Sequence, residues 1–136
     1  MTSRTLVLLK PDTVQRGLMG EVLRRYEAKG LRVVAMELRT IDASVADQHY
    51  AEHVEKAFYP PLRDFVTSGP LVAVVLEGDE AIEVVRAING ATDGRKAAPG
   101  SIRGDLSLSN RENLVHGSDS SESAAREIAL WFPGLA

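Results

Sequence analysis

Two uninterrupted apolar runs, Leu6 to Leu9 and Pro70 to Leu76, limit the fold more than any other feature of the chain. A strand with one wet face alternates apolar and polar residues; an unbroken run fits a strand buried on both faces. The first run closes at Lys10-Pro11-Asp12, where proline removes a backbone donor and leaves Lys10 at a strand end. Leu18, Val22, Leu23 and Tyr26 then recur at helical spacing up to Lys29-Gly30, a basic last turn followed by a glycine suited to a left-handed C-terminus. From Leu31 to Arg39 the period becomes two, with Val34, Met36 and Leu38 on a covered face and Glu37 and Arg39 on the other.

Ile41 to Ala57 is expected to be a helix capped by Asp42 or Ser44, with Ala46, Tyr50 and His53 on one side. Phe58-Tyr59-Pro60-Pro61 breaks it, and Leu62 to Ser68 makes a second short helix that completes a helical hairpin. Glu77-Gly78-Asp79 turns the second apolar strand into a helix from Glu80 to Asn89 with Ala81, Val84, Val85 and Ile88 inward. Ala91 to Leu108 carries several glycines and little apolar periodicity, which predicts a long loop of the kind that serves function. Leu114 and Val115 form a short strand leading to His116, Asp119 to Glu122 resembles a capping box, and Ala125, Ile128, Ala129 and Phe132 give the inner stripe of the last helix. The order of elements implies an α+β sandwich of the βαββαβ kind, a sheet with helices on one face and a helical hairpin inserted between its second and third strands. Residues 1–136 read as one domain.

Composition excludes several function classes. With 16 basic and 19 acidic residues the net charge is -3, so neither nucleic acid nor a membrane surface is expected as a main ligand. There is no cysteine, which removes disulfides, thiolate metal sites and thiol catalysis together. No signal-peptide pattern or membrane-length apolar run is visible, and the chain is expected in the cytoplasm.

The chemistry-bearing residues cluster at element ends and in loops. Asn113-Leu-Val-His-Gly-Ser-Asp119 sets one imidazole, His116, at a junction between a strand and a helix, where free backbone N–H groups attract anions. A neutral imidazole there is a nucleophile. Lys10, Arg86 and Arg103 with the hydroxyl of Thr92 form a set able to clamp a polyphosphate, and Phe58 offers a face for a base. Ordinary roles are open to the same residues: Arg86 as a surface partner of Glu83, Lys10 as a solvated strand end, Phe58 as a core residue of the hairpin. His49 and His53 are four apart, but no Glu follows His49 directly, so the zinc-protease helix is not formed. A Walker loop, a dinucleotide fingerprint and a serine-hydrolase elbow are all missing, so nucleotide binding has to rest on side chains.

Taken together, Asn113-Leu-Val-His-Gly-Ser-Asp-Ser120 resembles the active-site signature of nucleoside diphosphate kinases. Thr5 to Asp12, His49-Tyr-Ala-Glu-His53, Thr67-Ser-Gly-Pro70 and Pro99 to Asp105 are similar to further blocks of that family, in the same order and across nearly the whole chain. The resemblance implies a ferredoxin-like fold and transfer of the γ-phosphoryl group from ATP or another nucleoside triphosphate to a nucleoside diphosphate. It implies a ping-pong route through a phosphohistidine, with Mg²⁺ held by phosphates and water and no direct protein ligand. Carried over by position, His116 is the nucleophile, Glu127 orients its ring with Ser118, and Tyr50 supports His116 or Lys10. Arg86, Thr92 and Arg103 hold phosphate oxygens, with His53 as an addition. Lys10 and Asn113 meet the sugar hydroxyls, Lys10 also reaching the transferred phosphate, while Phe58 stacks on the base. A homo-oligomer, hexamer or tetramer, is implied as well. Ala57 and Gly94 stand where the family often has proline, and both are expected to loosen the backbone.

Overall fold

The computed structural model describes residues 1–135. Its centre is β1 (Thr2–Leu9), paired antiparallel along its length with β3 (Leu71–Asp79) and along its last residues with β4 (Val115–Gly117). β2 (Arg32–Arg39) pairs antiparallel with β3, so the sheet runs in the order β2-β3-β1-β4. The intervening helices are α1 (Pro11–Gln15), α2 (Met19–Lys29), α3 (Ala43–His49), α4 (Tyr59–Val66), α5 (Ala81–Asn89), α6 (Ile102–Leu106) and α7 (Ser121–Trp131). No helix among the described residues is long and apolar enough to cross a membrane.

The unbroken apolar runs are explained by what covers each face. Val7, Leu9, Val72, Val74 and Leu76 point to a core with Val22 and Tyr26 of α2 and Ala81 and Val85 of α5. Leu6, Leu8, Leu71, Ala73 and Val75 point the other way, into a core with Ala46, Tyr59, Val66, Ile128 and Trp131. The expectation of helices on one face is therefore corrected: α3, α4 and α7 cover the second. Each fully buried aliphatic side chain contributes about 1.5–3 kcal/mol relative to exposure, and every residue from Leu6 to Leu9 and from Leu71 to Leu76 is buried.

Other boundaries shift for local reasons. Glu77-Gly78-Asp79 continues β3 instead of turning, because β1 begins at Thr2 and supplies partners as far as Asp79; Arg4 Nε also donates to Glu77 Oε2 at 2.8 Å. The helix expected over Ile41 to Ala57 stops at His49 and gives way to turns, with Asp42 as its cap, accepting from Val45 N at 3.0 Å. The prolines after Tyr59 open α4 rather than precede it, since the first turn of a helix needs no internal N–H donors. A register shift between Val33 and Ala35 breaks the alternation of β2, and Met36 and Leu38, expected inward, are 54% and 59% exposed on the outer strand. Along α7 the inner stripe is Ala124, Glu127, Ile128 and Trp131, not Ala125, Ala129 and Phe132, because a glutamate occupies the inward face; the helix is capped by Ser120, which accepts from Ser123 N at 3.1 Å.

The long loop folds back on itself and contains α6, capped by Ser101. Gly94 tightens it: a Cβ there would lie 2.3 Å from the carbonyl oxygen of Ser107, and Gly94 N donates to Ser109 O at 3.1 Å. The expected loosening at Gly94 is thus reversed, since only glycine fits so close an approach.

Candidate active site

β4 places the histidine. Its partner in the ladder is Leu8, so His116 faces the side of the sheet that α3 and α7 cover. The next residue faces α5, where a Cβ on Gly117 would come within 3.0 Å of Val85. His116 Nε2 lies 2.9 Å from Glu127 Oε1, and Ser118 Oγ donates to the same oxygen at 2.8 Å while accepting from Leu6 N at 3.2 Å. Glu127 is only 4% exposed. As a carboxylate it accepts and does not donate, so the ring proton sits on Nε2 and Nδ1 keeps its lone pair.

A second imidazole packs on the first. His49, which the sequence reading treats as half of a failed metal pair and as part of a family block but gives no role in the site, is buried with its ring centroid 4.6 Å from that of His116. Its Nδ1 is 3.0 Å from Trp131 Nε1. An indole N–H only donates, so His49 must carry its own proton on Nε2. Burial first, then the charges of His116 and Arg126, push His49 well below the usual histidine range and keep it neutral. His49, His116 and Glu127 lie within 4.8 Å of one another and have the donor types of a zinc site, but the tautomer of His49 leaves no lone pair for a metal. Arg126 closes this corner by donating to the carbonyls of Gln48 and His49 at 3.0 and 3.2 Å.

In front of His116 opens a cleft of about 360 Å³ lined by Lys10, Tyr50, His53, Arg86, Thr92, Arg103, Asn113 and Glu127, among others. Nine of the eleven expected site residues line this cleft; of the other two, Ser118 lies behind it and reaches it through Glu127, and Phe58 stands outside it. Lys10 is no solvated strand end. It is 6% exposed, its Nζ donates to Asn113 Oδ1 at 2.9 Å, and burial together with the Arg103 charge pulls it down to about 8. Asn113 uses both amide donors on the carbonyls of Thr92 and Asn110, so what it still offers a ligand is acceptor capacity on Oδ1, suited to a hydroxyl. Arg103 donates to the carbonyls of Asn113, Gly90 and Val115, which leaves two of its five N–H groups for an anion.

The remaining grips are free. Arg86 is exposed and makes no ion pair with Glu83, and neither its guanidinium nor the Thr92 hydroxyl has a hydrogen-bond partner among the described residues. The hydroxyl of Tyr50 is buried without a partner, and burial keeps it protonated and a donor. Phe58 is 51% exposed and stands outside the cleft, its ring 5.5 Å from that of His53, which lines it. The carboxylates on the cleft wall are Glu52, Asp119 and Glu127, the last already committed to His116 and Ser118. Such a wall suits a divalent ion that arrives with a polyphosphate better than one held in a protein cage.

The family model described as nucleoside diphosphate kinase matches residues 3–135. A nucleoside diphosphate kinase of a Nocardioides species is 78% identical over 99% of this chain and all of its own, and one of Mycobacterium bovis is 58% identical over 98% and 99%. The solved nucleoside diphosphate kinase of Halobacterium salinarum, in complex with CDP, superposes with a TM-score of 0.94 at 48% identity, covering 97% of this chain and 88% of that one. A family protein from Babesia bovis gives 0.93 at 45% identity over 98% and 90%. With a family model spanning the chain, relatives this similar and a shared ferredoxin-like fold, the chain belongs to the nucleoside diphosphate kinase family.

Proposed function

We propose that γ-phosphoryl transfer from ATP or another nucleoside triphosphate to a nucleoside diphosphate runs in this chain through His116. The observation that carries this reading is the contact between the His116 ring and Glu127: the carboxylate accepts a hydrogen bond from Nε2–H, which keeps the ring proton on Nε2 and leaves the Nδ1 lone pair free to attack. In the first half-reaction Nδ1 forms a bond to the γ-phosphorus, the bond to the β-phosphate oxygen breaks, and the diphosphate leaves with that electron pair. In the second, a β-phosphate oxygen of the acceptor attacks the same phosphorus and His116 recovers its lone pair. The transferred group meets Lys10, the unpartnered Tyr50 hydroxyl and the free N–H groups of Arg103, charge placed before it is needed. Arg86, Thr92 and His53 bind the other phosphate oxygens, Lys10 and Asn113 take the sugar hydroxyls, and Phe58 stacks on the base, which makes the site tolerant of base identity. The CDP in the halobacterial relative supports a nucleotide in this cleft.

The divalent ion in this reading is Mg²⁺, bound to phosphates and water with no protein ligand assigned, and it offsets phosphate charge during transfer. Residues 1–136 act as one cytoplasmic domain that assembles as a homo-oligomer, hexamer or tetramer. The exposed apolar side chains of the edge strand, Met36 and Leu38, support self-association.

The test is intact mass after incubation with Mg²⁺ and ATP, kept out of acid, beside His116→Ala. One added phosphoryl group, lost on adding any nucleoside diphosphate and absent from the variant, is the expected result. Turnover retained by His116→Ala would remove His116 from the mechanism.

A further inference from the structure

Leu114 has a φ of 73°, a left-handed backbone that side-chain-bearing residues rarely adopt, and its side chain is fully buried. The reversal matters to the cleft. The residues on either side, Asn113 and Val115, both turn their carbonyls to the guanidinium of Arg103. Asn113 also carries the oxygen that receives Lys10. One peptide unit therefore sets where three cleft groups stand, and something must hold it.

The segment after β1 does so from both ends. Asp12 Oδ2 accepts from Leu114 N at 3.1 Å, while Leu114 O accepts from Lys10 N at 2.8 Å and from Thr13 Oγ1 at 2.6 Å. Asp12 is 4% exposed, and its other oxygen has no partner. A buried carboxylate with one idle oxygen is a poor way to stabilise a fold, because its desolvation outweighs what the backbone amides facing it return. Its nearest use is electrostatic. Lys10 stands two residues away on the same short segment, with Arg103 of α6 as the cation that opposes its charge, buried His49 at the end of α3, and Arg86 and His116 across the cleft. Burial raises Asp12, while the Lys10 charge and the backbone amides of Leu114, Asp12 and Thr13 act in the opposite sense.

We infer that Asp12 is a positioning residue for phosphoryl transfer: it clamps the left-handed Leu114 peptide that sets Asn113 and Arg103, and it is the counter-charge that keeps Lys10 a cation. This rests on Lys10 and Arg103 as phosphate-binding groups. Nothing in the transfer itself passes through Asp12.

The sign of the charge effect is definite. Lys10 loses its proton as pH rises through about 8, and the Asp12 carboxylate delays that loss. Asp12→Asn keeps an acceptor for Leu114 N and removes the charge; Asp12→Glu keeps the charge and disturbs the clamp. The measurement is kcat/KM for a nucleoside diphosphate against pH, with phosphohistidine formation followed by intact mass. Asp12→Asn is expected to move the alkaline limb to lower pH by on the order of 1 unit. Asp12→Glu is expected to leave the limb near its wild-type position while kcat falls, and Asp12→Ala to lose on the order of 10²-fold in kcat/KM. The position of a limb does not depend on what fraction of a sample is folded, so a weakly folding variant still decides the matter. An Asp12→Asn enzyme with the wild-type limb and wild-type kcat/KM would overturn the inference. Failure of the wild-type chain itself to form the adduct would instead overturn the reading of the site.

Discussion

The two walls of the cleft are built on opposite principles. On the wall formed by β4 and α7, His116, Glu127, Ser118, His49 and Trp131 are tied to one another and largely shielded from solvent. On the wall formed by α5 and the loop after it, Arg86 and Thr92 stand in solvent with their polar groups free, and Phe58 of the helical hairpin stands half-exposed at the rim. A nucleophile must have its lone pair aimed before the phosphoryl group arrives, which requires a rigid and satisfied surround. The outer phosphate grips, Arg86 and Thr92, serve by being unpaired, because a partner inside the protein would have to be displaced by the ligand, whereas Lys10 and Arg103, which meet the transferred group, are held by Asn113 and by three backbone carbonyls. The lesson is that preorganisation is concentrated where bonds change and thins out toward the rim.

The largest effect should come from loosening the tied wall. Glu127→Gln replaces a pure acceptor by an amide that must face both Ser118 and the His116 ring, so the amide can donate to Nε2 and move the ring proton to Nδ1. kcat is expected to fall on the order of 10²-fold with KM almost unchanged, read from steady-state rates and from the rate of phosphohistidine formation. Equal losses in kcat and affinity would mean that this wall also binds nucleotide, and the contrast between the walls would fail.

The same contrast explains what could be read from the chain. The strands were visible because both faces of β1 and β3 are apolar, and the histidine because it follows a short apolar pair and precedes a helix cap. The free cations were visible too, since they lie at element ends. The tied groups were harder. Glu127 was placed only through resemblance, and the stripe drawn along α7 passed beside it, because a glutamate on an inward face contradicts hydrophobic periodicity until its partner is known. His49 and Asp12, named in the sequence only within motifs, carry no site role there for the same reason: each is a polar residue made tolerable by contacts 82 and 102 residues away in sequence. The exposure of Met36 and Leu38 was missed because alternation reports which residues share a face, not whether a helix covers it.

A smaller effect is expected on the open wall. Phe58→Ala removes a half-exposed ring that has no hydrogen-bonding atoms with which to read a base edge. KM should rise on the order of tenfold for purine and pyrimidine nucleotides alike, with stability changed by less than about 0.5 kcal/mol. A loss confined to one base would show that the rim reads base edges, and that the open wall is more organised than its exposure suggests.

The smallest effect on chemistry is expected farthest from the cleft. The strand order β2-β3-β1-β4 puts the nucleophile on one edge of the sheet and the exposed pair Met36 and Leu38 on the other. Replacing both with glutamate places like charges on an edge that self-association would bury, so the particle mass by light scattering should fall and the Tm with it by several degrees. The rate of phosphohistidine formation per folded chain should stay within about threefold, since well-separated sites act independently. One route could make it otherwise. Arg39, at the end of β2, places its guanidinium 4.9 Å from the centre of the Trp131 ring, and Trp131 fixes the tautomer of His49 beside His116. If the doubly substituted chain loses both mass and phosphohistidine formation, and Arg39→Ala loses phosphohistidine formation at unchanged mass, the edge and the tied wall are one coupled unit. If mass falls and the chemistry holds, the tied wall is self-sufficient, and its rigidity comes from α3 and α7 alone.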